Sequence, residues 1–259
     1  MNRMRSTAVA RAGANRPTSF REKARPMPNV GQDDRVPESG RYLLNILDAD
    51  TKREAVQRAA TRRYANREML IRQGEKANGI HIITGGTVES LFESAGGREL
   101  ILGTWQAGDF VGGPYVFGDH EHMWGARALG TVTTLYLNHD SLKAFAQQSA
   151  PFALALIESL GFKGQRYSKL AQTLATHTTT ERLALLISEL ADNAAPSSDG
   201  KKRVGMVRQS KLAHMIGATR QSVANALQKL EDSGAIALEP TSFIIADRAI
   251  LGELAGSND

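Results

Sequence analysis

Three side chains whose chemistry suits reading a nucleic acid, Arg220, Gln221 and Asn225, lie within six residues of one another. An arginine fork matches the two acceptors on the major-groove edge of guanine, and the amides of Gln and Asn match adenine. At helical spacing all three fall opposite Val223, Leu227 and Leu230, giving a helix with an apolar back and a hydrogen-bonding front. Other chemistry has less support. There is no Gly-x-Ser-x-Gly elbow, no P-loop and no His-Glu-x-x-His, and the carboxylates form no constellation, so no enzyme is expected. His120 and His122, with His81 and His139 elsewhere, raise a metal or haem reading, but two like residues on one side do not complete a ligand set. His214 lies between apolar positions of a helix, where phosphate or solvent contact is the expectation.

The elements that must position the three residues are legible around them. Leu212, Met215 and Ile216 fall at i, i+3, i+4 and predict a first short helix. Gly217 supplies the sharp turn, since only glycine enters positive φ freely. Thr219 offers its hydroxyl as N-cap of the second helix. Ile236–Leu238 and Phe243–Ile245, separated by Glu239-Pro240-Thr241-Ser242, predict a hairpin beside that helix, a wing.

The chain has 259 residues, 41% of them hydrophobic, with no cysteine and a formal net charge of +5. Disulfides and thiolate-held metals are excluded. The charge favours a polyanionic partner. No run of about eighteen apolar residues exists, so no membrane span is expected, and a cytoplasmic protein is. Residues 1–40 read as a disordered basic arm, a solvated tail rather than a clamp on DNA; a transit peptide would share the composition.

Residues 41–150 change texture from a helical start (Leu43, Leu44, Leu47) to short apolar runs. These are Met69–Ile71, Ile80–Ile83, Val88–Phe92, Leu100–Leu102 and Thr131–Leu137, with turns at Gly74-Glu75, Gly85-Gly86, Gly96-Gly97 and Gly108-Asp109. Such spacing predicts a β-sandwich or barrel. A short helix over Ser141–Phe145 follows, then a long one over 151–176 opened by Pro151. Gly161 and Gly164 inside it suit a close approach of two backbones, which makes it the candidate dimer helix; the alternative is a core helix packed within its own chain. His177-Thr178-Thr179 reads as a hinge, a helix follows to about Asn193, and residues 195–203 read as a loop. Residues 177–259 then form the predicted DNA-binding domain.

A Gly-punctuated β-roll, a long helix and a winged helix-turn-helix resemble the CRP/FNR family of bacterial transcription regulators. The resemblance runs from about Arg62 to Asp247. It rests on Arg72–Glu75 (RQGE), Ile82–Val88 (IITGGTV), Gln106–Gly112 (QAGDFVG) and Gly217–Val223 (GATRQSV), in that order. It implies an α+β chain with an N-terminal jelly-roll-like, cyclic-nucleotide-binding-like domain, a dimerisation helix and a C-terminal winged helix-turn-helix. It also implies base contacts by Arg220, Gln221 and Asn225 and a backbone contact by Ser222. Gln209, Lys211 and Thr219 would hold phosphates and set register. The implied partners are a palindromic double-stranded DNA operator, a second copy of the chain, a small effector, and RNA polymerase if the protein is an activator. The resemblance puts no cofactor in the chain.

Departures from the family bear on the effector. Members that bind cyclic AMP carry a Glu after the cassette glycine and an Arg-Ser pair about ten residues on. Here Gly112 is followed by Gly113 and Pro114, and the later pair reads Met123-Trp124. A buried phosphate without a cation is costly, so an effector other than cyclic AMP is expected, unless Arg127 is recruited. Gly112, Gly113, Pro114, Tyr115, Met123 and Trp124 would line its site, with Phe117 nearby. Their apolar, aromatic character suits an aromatic or hydrophobic ligand, or side chains that fill the space themselves. A haem or metal sensor and an effector-independent regulator on the same scaffold remain the alternatives.

Overall fold

The computed structural model describes residues 42–113, 117, 120–192, 194, 202–205, 207–239 and 242–256. The basic arm, Pro114, Tyr115, Lys201 and most of the 195–203 loop lie outside the described residues. Two short helices, α1 (Leu43–Ile46) and α2 (Ala49–Arg58), open it. Asp48 separates them: its carboxylate accepts from the Thr51 amide at 2.8 Å and so caps α2. Six antiparallel strands follow: β1 (Ala60–Tyr64), β2 (Met69–Ile71), β3 (Gly79–Glu93), β4 (Glu99–Gln106), β5 (Phe110–Val111) and β6 (Gly125–Asn138). Their order is β1-β6-β3-β4, with β2 also on β6 and β5 on β3.

Strand β3 corrects the sequence reading. Gly85-Gly86 is not a turn between two strands but an irregularity inside one strand of 15 residues, which pairs with β6 from Gly79↔Asn138 to Leu91↔Gly125. The register shifts on both sides of Gly85, and Gly86 takes φ +84°, where a Cβ would strike the Thr131 carbonyl oxygen. The glycines bend the strand so that the sheet curls into a roll.

The roll has apolar side chains on both surfaces of β3, because neighbours along a strand face opposite ways. Ile80 and Ile82 pack with Phe110, Leu137, Phe145, Phe152 and Leu156 under the helices, where the Phe145 and Phe152 rings stack at 4.0 Å. Ile83 and Val88 pack with Tyr64, Trp105, Val111 and Val132 inside the roll. Two further helices close the domain, α3 (His139–Gln148) and α4 (Ala150–Thr176).

Along α4, Leu154, Ile157, Gly161, Gly164, Ser168 and Ala171 form one exposed stripe at heptad spacing. Leu154 and Ile157 are 66% and 65% exposed. A Cβ on either glycine would meet nothing within 4 Å, so among the described residues no other backbone approaches there. The stripe is an apolar seam ending in small residues, the shape a second copy of the helix would fill.

The C-terminal part holds α5 (Thr179–Asp192), β7 (Arg203–Gly205), α6 (Gln209–Ile216), α7 (Arg220–Asp232), β8 (Ile236–Leu238), β9 (Ser242–Ile245) and α8 (Arg248–Leu254). The break at His177–Thr178 is fixed by a capping box: Thr178 Oγ1 accepts from the Glu181 amide, and Glu181 accepts from the Thr178 amide. The hairpin of β8 and β9 gains a third strand, β7, at the end of the segment read from sequence as a loop. Leu183, Ile187, Leu212, Val223, Leu227, Leu230 and Phe243 make the core. All described residues fall in one compact unit.

Ile157→Glu places a charge in the α4 seam. Sedimentation should then show the dimer dissociating at least about tenfold more readily, equivalent to ~1.4 kcal/mol, with helix content unchanged; an unaltered dimer would remove this stripe from the interface.

Candidate functional site

Gly217 ends α6 in the left-handed conformation, φ 63° and ψ 43°. Thr219 then caps α7, its hydroxyl accepting from the Ser222 amide at 3.1 Å and meeting the Ser222 hydroxyl at 2.8 Å. Val223, Leu227 and Leu230 are buried behind, while Arg220, Gln221 and Asn225 are exposed in front. Gln221 Nε2 donates to Asn225 Oδ1 at 3.0 Å, so the two amides are held together on one turn.

Beside them a cleft is lined by Arg208, Gln209, Ser210 and Arg220. Arg208 is the N-cap of α6 yet makes no side-chain capping bond, so among the described residues no side chain caps the first amides of α6. Helix N-termini with free amides favour anions. Arg208 is absent from the residues picked out by sequence; its arginine, one place before Gln209, was the available signal. Lys211 is placed differently from Gln209. Its ammonium pairs with Glu89 of β3 rather than standing open beside the cleft.

In the roll, Gly112 takes φ +119°, and a Cβ there would lie 2.6 Å from the Gly79 carbonyl oxygen. The cassette therefore needs glycine so that it can run against β3. Gly113 is half-buried. Met123 and Phe117 are 55% and 52% exposed, so neither lies within the roll. Trp124 alone among the described aromatic cassette residues packs against α4, its ring 5.4 Å from Tyr167.

Tyr167 bridges Trp124 to Trp105, 6.0 Å away, and Trp105 Nε1 donates to Ser90 Oγ at 2.8 Å. Lys163 sits deeper, 3.4 Å from the centre of the Trp105 ring and 2.6 Å from Asp109 Oδ1. Burial pushes its ammonium down to about 8, against the pull of Asp109. The second Asp109 oxygen and the Ser159 hydroxyl are buried with no partner among the described residues. Trp105, Asp109, Ser159, Lys163 and Tyr167 were all passed over in the sequence; a lysine on the buried side of α4, four residues after Ser159, was the clue.

Arg127 does not stand free. It makes two parallel bonds of 2.9 Å to Glu99 and one of 2.8 Å to Glu89. The hydrogen bonds from Arg127 hold the Glu99 carboxyl below its usual range, against desolvation. A phosphate would have to displace two carboxylates to reach this guanidinium.

His81 lies between Tyr64 and Thr134, 3.3 Å from each hydroxyl, and against the Tyr136 ring at 4.7 Å. Burial, helped by the Arg62 charge, pushes it from 6.5 to about 3. Burial also lowers His122. Among the described residues no three His, Asp or Glu side chains converge as a metal set would.

Two family models match the chain in order. A cyclic nucleotide-binding domain covers residues 61–149, and a Crp-like helix-turn-helix domain covers residues 181–254. The chain belongs to the CRP/FNR family of transcription regulators. As a member it is a homodimeric DNA-binding regulator. It is 26% identical over 187 residues to the cAMP-activated global transcriptional regulator CRP of Salmonella typhimurium, covering 71% of this chain and 88% of that protein. The solved structure of the c-di-GMP responsive global regulator CLP of Xanthomonas campestris matches with a TM-score of 0.69 and 23% identity, over 77% of this chain and 100% of that one. A CooA mutant from Carboxydothermus hydrogenoformans matches at 0.67 and 18%, over 83% and 95%. The two structural likenesses speak for the fold.

His81 generates a test of the roll. The unfolded chain protonates this ring near pH 6.5 and the folded chain only near pH 3. The unfolded state therefore binds more protons between those values, and stability is lost as pH falls through that window. Denaturant unfolding should show a loss on the order of 3 kcal/mol between pH 7 and pH 4 from this ring. His81→Gln should flatten that limb; an unchanged acid limb would refute the assignment.

Proposed function

We propose that this regulator reads a palindromic operator through α7 and answers to a small, planar aromatic or apolar effector other than cyclic AMP in its roll. One observation carries the DNA reading: Arg220, Gln221 and Asn225 share the exposed front of a helix whose start is fixed by Thr219. Ser222, on the same first turn, meets the backbone. Gln209, Arg208 and the open amides of α6 hold phosphate. Two such helices, related by the α4 seam, would lie about 34 Å apart in successive major grooves. Arg220 selects guanine, and the paired amides of Gln221 and Asn225 select adenine.

The effector reading is supported by the rings of Trp105, Trp124 and Tyr167 between the roll and α4. They give that region an aromatic lining of the kind a flat ligand would pack against, with buried polar groups at Asp109 and Ser159 to orient it. Engagement of Arg127 by two carboxylates, together with Met123-Trp124 in place of an Arg-Ser pair, speaks against a cyclic phosphate. Ligand-dependent bias of α4 and the His177–Thr179 break would then redistribute the protein between two arrangements.

A second reading has its own observation. Lys163 already occupies the face of Trp105 and pairs with Asp109, so the space between the roll and α4 is partly filled by the chain itself. A regulator active without effector would look like this. Native mass spectrometry of the purified dimer separates the two, since a bound effector adds mass.

Selection from randomised duplexes should return a two-fold symmetric site. Arg220→Ala should weaken binding to it by about 1–3 kcal/mol and relax the preference at one guanine in each half. Unchanged affinity and base preference would overturn the assignment of α7.

A further inference from the structure

We propose that the Lys211–Glu89 ion pair, with the His214–Glu99 contact beside it, joins α6 to the β3–β4 hairpin as an autoinhibitory latch that withholds Lys211 from DNA phosphate. The inference rests on the DNA-binding reading and goes beyond it by naming what restrains the domain.

The cluster spans two parts of the chain far apart in sequence. The Glu89 side chain is 1% exposed and has a cation on each oxygen: Arg127 on Oε1 at 2.7 Å and Lys211 on Oε2. Glu99 takes Arg127 and, on Oε2, His214 Nδ1 at 3.3 Å. The helix that precedes the reading helix therefore sets Lys211 and His214 on two carboxylates of the roll. Apolar packing accompanies the charges. A Cβ on Gly217 would come 3.0 Å from Leu174 of α4 and 3.1 Å from Leu100 of β4. The turn between α6 and α7 is thus seated against the hairpin and the long helix.

Carboxylate and phosphate compete for one ammonium. While Glu89 holds Lys211, that lysine cannot also neutralise a DNA phosphate, and each such contact contributes to affinity and to its salt dependence. Glu89 is well suited to hold it. Its burial keeps water from the carboxylate, and Arg127, fixed by Glu99, keeps it oriented. A buried carboxylate stripped of a cation is penalised, so release of α6 is resisted until something compensates. The neighbouring residue on β3 shows how release could begin. Ser90 faces the roll interior and holds Trp105, whereas Glu89 faces α6. A ligand that moved Trp105 would act on the strand position next to the latch.

The test uses the full-length, effector-free protein and two readouts: hydrogen exchange along α6, and affinity for the duplex recovered by selection. Glu89→Gln and Glu99→Gln should each speed exchange over residues 209–216 and tighten duplex binding about tenfold or more. Glu93→Gln, on the same hairpin but exposed at its end, removes an equal charge and should change neither. Lys211→Gln should speed exchange without the gain in affinity, because it loses the latch and the phosphate contact together. If Glu89→Gln does not fold, Glu99→Gln, a partly exposed position, decides the matter. Unchanged exchange in the folded carboxylate variants overturns the latch, whatever the affinity. Faster exchange with unchanged affinity, or an equal gain from Glu93→Gln, overturns its inhibitory role. A parent that binds no duplex at low salt refutes the DNA reading instead, while exchange still reports on the contact.

Discussion

The β3–β6 ladder is the constraint on which the remaining structure depends. Strand β3 runs unbroken from Gly79 to Glu93 and meets β6 over nearly its whole length. At one end Ile80 and Ile82 face the helices, which places α4 against the roll. In the middle Gly86 bends the strand. At the far end Ser90 points inward to Trp105 while Glu89 points outward to Arg127 and Lys211. A slip of one residue in this pairing would exchange every inward and outward side chain. The aromatic seam and the charge cluster therefore share one register.

Buried charge is the second organising feature. Two of the chain's cations sit where an apolar residue would cost less: Lys163 under Trp105, and Arg127 beside Glu89. Replacing such pairs by hydrophobic residues is often neutral or stabilising, so stability alone does not account for them. Both lie where the roll meets another part of the chain, Lys163 on α4 and Arg127 below α6. An apolar contact is tolerant of small shifts. A buried ion pair is not, because separation leaves a charge without its partner. Placing ion pairs at these two boundaries makes each boundary favour discrete positions, which suits the proposed redistribution between two arrangements.

The sequence showed most where the physics is local. The Gly217 turn, the Thr219 cap and the apolar back of α7 each involve residues within a few positions of one another, and the structure holds them as the pattern implied. Helix α4 was legible for the same reason, with an end one residue from the expected place. Strand β3 was not. Gly85-Gly86 looks like a turn in one dimension, and only pairing with β6 shows that it is a bend within one continuing strand. β7 was missed because three residues after a run of Ser, Asp, Gly and Lys give no period; it is a strand because Arg203–Gly205 finds β9 beside it. The polar groups beside the Trp105–Tyr167–Trp124 rings were missed for a related reason: Asp109 is read as a turn residue, and nothing local marks Lys163 as its partner until the fold brings the two to 2.6 Å.

The same distinction explains how one scaffold serves different effectors. The exposed front of the reading helix takes no part in its cap or in its packing, so that front can vary while the cap and apolar back stay in place. The roll interior has no such independence. Its polar groups are set by contacts across the fold, Ser90 by Trp105 and Asp109 by Lys163, and the outward-facing Glu89 is likewise set by Arg127. Changing the ligand means changing several of these together, and because Ser90 and Glu89 are consecutive, a change on the inner side reaches α6 through a single peptide unit. On the proposed reading, in which the roll takes an effector and Glu89 restrains α6, ligand choice and the restraint of the DNA-binding domain are coupled by covalent geometry in this chain, and a new effector chemistry in the roll would also reset the balance of the contact that holds Lys211.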